Sequence, residues 1–137
     1  MDEKRVGDLG ARFYRAFLAA DRDALDEIVA PEAAWIVPLD TMVSGAHIGP
    51  DGIAALRRKI DELTGGTWRP FREDSFDIAT SGWHAVLMDR FLAERGDRRL
   101  DSHEAVILAV EENCITRLFH YLHDPGAFEA FWAPIPV

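Results

Sequence analysis

Two residue types in this chain could together move a proton. Three of its five histidines, His103, His120 and His123, fall in the most strand-like stretch, Ser102 to Asp124, where core strands would ordinarily carry none. Two aspartates, Asp89 in LMDRF and Asp40 in a Pro- and Gly-rich segment, are the carboxylates best placed to join them. A carboxylate at an apolar wall has its proton affinity raised by desolvation, and a nearby imidazole can donate, accept or orient. Such a pair does acid–base work at neutral pH without help from a metal.

These side chains meet only if the strands that carry them are in the right register. The runs Ser102–Val110 and Ile115–Asp124 flank Glu111-Glu112-Asn113-Cys114 and read as an antiparallel hairpin. With a four-residue loop, Val110 faces Ile115 and Ala105 faces His120. Period-two alternation then gathers His103, Ala105, Ile107, Leu118 and His120 on one face. Arg117, Phe119 and Tyr121 fall on the other. In the preceding hairpin, Glu94-Arg95-Gly96 reads as a three-residue loop, which puts Leu87 opposite His103 and brings Asp89 to the histidine face. A two-residue Gly96-Asp97 turn would instead set Asp89 opposite Glu104.

The rest of the chain supplies the frame. Val6, Leu9, Phe13, Ala16 and Phe17 form the stripe of an amphipathic helix over 3–20. A second short helix follows Asp21 and stops before Pro31, and Ala33–Val37 reads as a strand. A loop over 38–52 carries Asp40 and His47, and Pro50 opens a third helix that ends at Gly65-Gly66. Extended segments follow over 68–79, 83–93, 98–110 and 115–123, and Asp124-Pro125 caps a last short helix. Helices first and an antiparallel meander afterwards predict an α+β domain, with the sheet curling over the helices.

Composition narrows the partners. The 137 residues, 48% apolar, can bury one core, so a single domain over 1–137 is expected. A net charge of −9 repels phosphate backbones and anionic headgroups, which excludes nucleic acid and membrane surfaces as expected partners. The charged MDEKRVGDLG start lacks a signal peptide's apolar core and no run reaches a membrane span, so a cytoplasmic location is expected. One cysteine, Cys114, and no ligand-spaced cluster predict no metal. Without GxSxG, a P-loop or a dinucleotide fingerprint, no cofactor is expected.

The element order, together with RFYRAFLAADRDALDEIVAPEAAW, SGAHIGPDGIAAL and ENCITRLFHYLHDPGAFEAFW, resembles the nuclear transport factor 2-like superfamily. The nearest flavour is the SnoaL-like polyketide cyclase, ketosteroid isomerase and limonene epoxide hydrolase group. The resemblance implies a cone-shaped sheet around a mostly apolar pocket, in a homodimer. Asp89 matches the carboxylate that the epoxide hydrolases place on this strand. Where they carry an aspartate on the last strand this chain has His120, and Leu87 replaces their arginine. Asp40 lies two residues after the isomerases' general base, Ala105 falls near their oxyanion-hole acid, and Phe13, beside Tyr14, takes the place of their tyrosine.

The function expected is cofactor-independent acid–base catalysis on a small, largely apolar carbonyl compound, by isomerisation or aldol closure. Asp89 or Asp40 is the expected base, and His120 or His103 the donor. Tyr14, Phe17, Trp35, Leu87, Phe91, Ala105, Ile107 and Leu118 are the expected pocket wall, and Phe128, Phe131 and Trp132 a packing stripe or a lid. Alternatives are a binding protein without turnover, an association module working through Arg117, Phe119 and Tyr121, and an epoxide-hydrolase-like hydrolase.

Overall fold

The computed structural model describes residues 2–72 and 76–136. Helix α1 (Glu3–Leu18) begins where the Asp2 carboxylate accepts the Arg5 N–H at 2.8 Å, and α2 (Arg22–Ile28) begins where Asp21 accepts that of Ala24 at 3.1 Å. Strands β1 (Val29–Val37) and β2 (Gly45–Ile48) precede α3 (Gly49–Thr64), which ends at Gly65 with φ +62°. Then come β3 (Arg69–Pro70), β4 (Asp77–Thr80), β5 (His84–Arg95), β6 (Arg98–Glu111), β7 (Cys114–Leu122) and α4 (Pro125–Trp132).

The seven strands form one mixed sheet in the order β2-β1-β7-β6-β5-β3, with β4 also on β5. Only β1 and β7 run parallel. Helices and strands thus segregate into the α+β, unclosed curved sheet that the element order predicts. The core lies between the helices and the inner face, where Val6, Phe13, Leu25, Ile28, Ile53, Leu108 and Ile115 are buried.

Three local features depart from the expectation. Val29, expected in the second helix, already pairs with Ile115 as strand. Strand β2 lies inside the segment expected as loop, because Trp35 of β1 pairs with His47. Of the extended segment expected over 68–79, only β3 and β4 are seen, and 73–75 lie outside the described residues.

Register is the larger correction. Arg95 pairs directly with Arg98, so Gly96-Asp97 is the two-residue turn, with Gly96 at φ +58° in its first position. Asp89 therefore faces Glu104. In the next hairpin Glu111 pairs with Cys114 across Glu112 and Asn113, at φ +48° and +67°. Val110 does face Ile115, but Ala109 faces Arg117, so Thr116 is an extra residue bulged out of β7. The first change moves β6 by three residues against β5 and the second by one against β7, both odd numbers that exchange the faces. The exchanges cancel between β5 and β7, leaving Asp89 and His120 on one face and turning His103, Ala105 and Ile107 to the other.

Gly10 sets how closely α1 lies on β5, for a Cβ there would stand 3.2 Å from Ala85 Cβ and 3.5 Å from Ile78 Cδ1. Gly10→Val should therefore overpack this contact and lower stability by about 1–3 kcal/mol in urea denaturation.

Candidate active site

A cavity of about 60 Å³ lies between the inner face of the sheet and α1, α3 and α4. Its wall is aromatic and aliphatic, with Phe13 and Phe17 from α1, Trp35 from β1, Trp68 ahead of β3, Phe91 from β5, and Phe128 and Trp132 from α4. Among the described residues this wall has no Lys or Arg, and its ionisable groups are Tyr14, Asp89, Glu104 and His120.

These four groups form two hydrogen-bonded pairs. Asp89 and Glu104, each 7% exposed, sit directly opposite one another on β5 and β6. The Tyr14 hydroxyl donates to Asp89 Oδ2 at 2.7 Å, and the Arg90 backbone N–H donates to Oδ1 at 2.7 Å. On the other side His120 Nε2 lies 2.5 Å from Glu104 Oε1, and Val106 pairs with His120 across β6 and β7. Glu104 Oε2 and His120 Nδ1 are buried without a partner. The His120 ring stacks on Trp35, with centroids 5.9 Å apart at 22°.

Burial first, then the hydrogen bond to Asp89 and that carboxylate's charge, hold the Tyr14 proton well above the usual phenol value, with Arg72 opposing weakly. Tyr14 therefore stays a phenol and keeps donating to Asp89.

Helix α4 closes this end. Arg95 donates to the Phe131 and Ala133 carbonyls, and Arg98 to those of Ala133 and Pro134. These carbonyls at and beyond the helix end have no intrahelical donor, and two guanidinium groups both satisfy them and face the negative end of the dipole. The lid reading of Phe128 and Trp132 fits their place in the wall; Phe131 packs beside them, its ring 4.8 Å from that of Trp132.

Of the residues expected from sequence, the fold brings Asp89, His120, Tyr14, Phe17, Trp35, Leu87 and Phe91 to this cavity. It does not bring the others. His103 and Ala105 line a groove of about 570 Å³ that also holds Arg90, Tyr121 and His123. Ile107 lies with Val86 in another outer groove, Leu118 is fully buried in the core away from the cavity, and Asp40 is exposed on the loop after β1. Glu104 is the residue that sequence reasoning missed. Its signal was there, because a Gly96-Asp97 turn pairs it with Asp89.

The chain is 30% identical over 126 residues, 92% of its own length and 95% of the other's, to an uncharacterised protein of Mycobacterium tuberculosis. Among solved structures, a nuclear transport factor 2-like protein of Burkholderia xenovorans superposes with a TM-score of 0.83 at 18% identity, over 96% of this chain and 98% of that one. The chain has the nuclear transport factor 2-like fold. A candidate SnoaL-like polyketide cyclase of Jannaschia shares the fold as well, with a TM-score of 0.73 at 14% identity over 97% and 95% of the two chains. No family model matches. No helix of the described residues is long and apolar enough to cross a membrane.

Tyr14→Phe should cost about 1–3 kcal/mol near neutral pH, since it leaves Asp89 Oδ2 buried without its donor. The unfolded phenol ionises at lower pH than the folded one, so Tyr14's contribution is complete below pH 10.0 and drains away as pH rises above it. Urea denaturation of both proteins at neutral and alkaline pH checks this: the gap between them should narrow on the alkaline side.

Proposed function

We propose that this cavity is the active site of a cofactor-independent acid–base enzyme acting on a small, uncharged carbonyl compound. The observation that carries the reading is the pair of opposed, buried carboxylates, each held by a different partner in an otherwise apolar wall. One proton lies between Glu104 and His120 Nε2, whichever atom holds it. With a second proton on Nδ1, that pair is net neutral, and Asp89 is left as the cavity's one net negative charge.

The chemistry follows from that division. Asp89 takes a proton from the carbon next to the carbonyl, and the C–H electron pair moves into the enolate. His120 Nδ1–H donates to the developing oxygen, stabilised by a dry site in which a preorganised donor counts for more than in water. Return of the proton from Asp89 to a different carbon is an isomerisation. Attack of the enolate carbon on a second carbonyl, whose C=O electron pair moves to oxygen and takes back the proton held by Asp89, is an aldol closure.

Turnover of small ketones and diketones tests the roles. Asp89→Asn and His120→Ala should each lower kcat by about 10²–10⁴-fold with little change in KM. Asp40→Asn and His103→Ala, outside the cavity, should stay at the wild-type level. Equal activity in all four variants would remove this site from the chemistry.

The outer face of the sheet supports a second part of the reading, the pairing of two copies of the chain. Phe119, 37% exposed, and Tyr121, 54% exposed, stand there beside exposed Arg117, Ile36 and Met88. Phe119→Asp should shift the protein from dimer to monomer in sedimentation velocity.

A further inference from the structure

Buried polar groups in folded proteins are almost all hydrogen-bonded, so those that are not repay a search. Among the described residues, buried side-chain atoms without a partner are Trp35 Nε1, Arg95 Nε, Ser102 Oγ, Glu104 Oε2, His120 Nδ1 and Trp132 Nε1. Four of these six belong to residues of the cavity wall. Two are indole N–H groups, which can only donate. Trp35 and Trp132 are 3% and 1% exposed, so bulk water does not satisfy them.

The two indoles come from different elements of the wall that His120 shares, Trp35 in contact with its ring and Trp132 one aromatic ring further on. Trp35, on β1, stacks against His120. Trp132, on α4, stands edge-on to Phe128 at 6.2 Å, and Phe128 lies 6.2 Å from His120. The backbone fixes both elements, β1 by its pairing with β7 and α4 by the Arg95 and Arg98 bonds.

We propose that Trp35 and Trp132 are the ligand's hydrogen-bond donors, receiving an acceptor oxygen at the His120 end of the cavity. This deepens the acid–base reading and names its substrate class, an uncharged planar ketone or enone. The alternatives fit the wall less well. An anion would meet Asp89 and Glu104 with no Lys or Arg in the wall to balance it, and an organic cation would leave both indole donors unmatched. A hydrocarbon would do the same. Two stacked pairs in the wall, Trp35 on His120 and Trp68 on Phe91, favour a flat body.

The test uses two probes of one shape, acetophenone and α-methylstyrene, which differ in a carbonyl oxygen against a methylene. With the indoles ¹⁵N-labelled, acetophenone should move the Trp35 and Trp132 N–H resonances downfield and leave that of exposed Trp83 in place. α-Methylstyrene should bind without that downfield shift. Trp35→Phe and Trp132→Phe should each weaken acetophenone by about three- to tenfold and α-methylstyrene by less than about twofold. Equal losses for both probes, indole resonances unmoved by bound acetophenone, or no binding of acetophenone would each overturn the proposal. The spectra of the unaltered protein decide the matter even where a variant does not fold. Binding needs no turnover, so this pattern in a protein that turns over no ketone would retain the donors and discard the catalysis.

Discussion

Two carboxylates directly opposite one another in a sheet, both buried, repel each other and lack water to screen them. The site depends on how this chain resolves that conflict at Asp89 and Glu104. Each carboxylate receives a partner from a different element, the Tyr14 phenol from α1 and the His120 imidazole from β7. Neither partner arrives by chance of composition. Gly10 lets α1 lie close on β5, and the Thr116 bulge turns His120 to the face that Glu104 occupies. Removing either device would leave a buried charge or acceptor unpaired, which costs more than the bond itself contributes.

The surrounding wall makes the two pairs chemically useful. Aromatic side chains from α1, α4 and the sheet, with aliphatic ones from α3, line the cavity, so a hydrogen bond or charge inside acts in a lower dielectric. Helix α4 supplies part of that lining, and Arg95 and Arg98 hold its end by its own carbonyls. The outer face is of another kind. It carries His103, Arg90 and Tyr121 beside open grooves, where imidazole and phenol groups remain in contact with solvent.

Much of this was legible in the sequence, for reasons that differ by element. The two long helical patterns and the two hairpins declare themselves by period, and Asp21 and Asp124 by capping chemistry. Strand β2 was hidden because four residues in a Gly- and Pro-rich segment become strand only through pairing with β1. The register of β6 was hidden because two turns could each be read two ways, and because a bulge leaves no trace in a period-two pattern. Positive φ at Glu112 and Asn113 is imposed by the hairpin; Asn alone of the two favours it. Asp89 and His120 survived because the two errors cancelled across β6, while His103, Ala105 and Ile107, on β6 itself, could not. Glu104 was exchanged for His103 by the same slip.

The central claim is that Asp89 moves a proton to and from a carbon next to a carbonyl while His120 donates to the enolate oxygen. Deuterium uptake at that carbon, followed by ¹H NMR on a small ketone incubated with the protein in D₂O, reads that step without requiring a completed reaction. The account predicts uptake well above the buffer rate with the wild-type chain, and a return to the buffer rate with Asp89→Asn. Uptake no faster than buffer with the wild-type chain across small ketones that bind the cavity, or undiminished uptake in the variant, would contradict it.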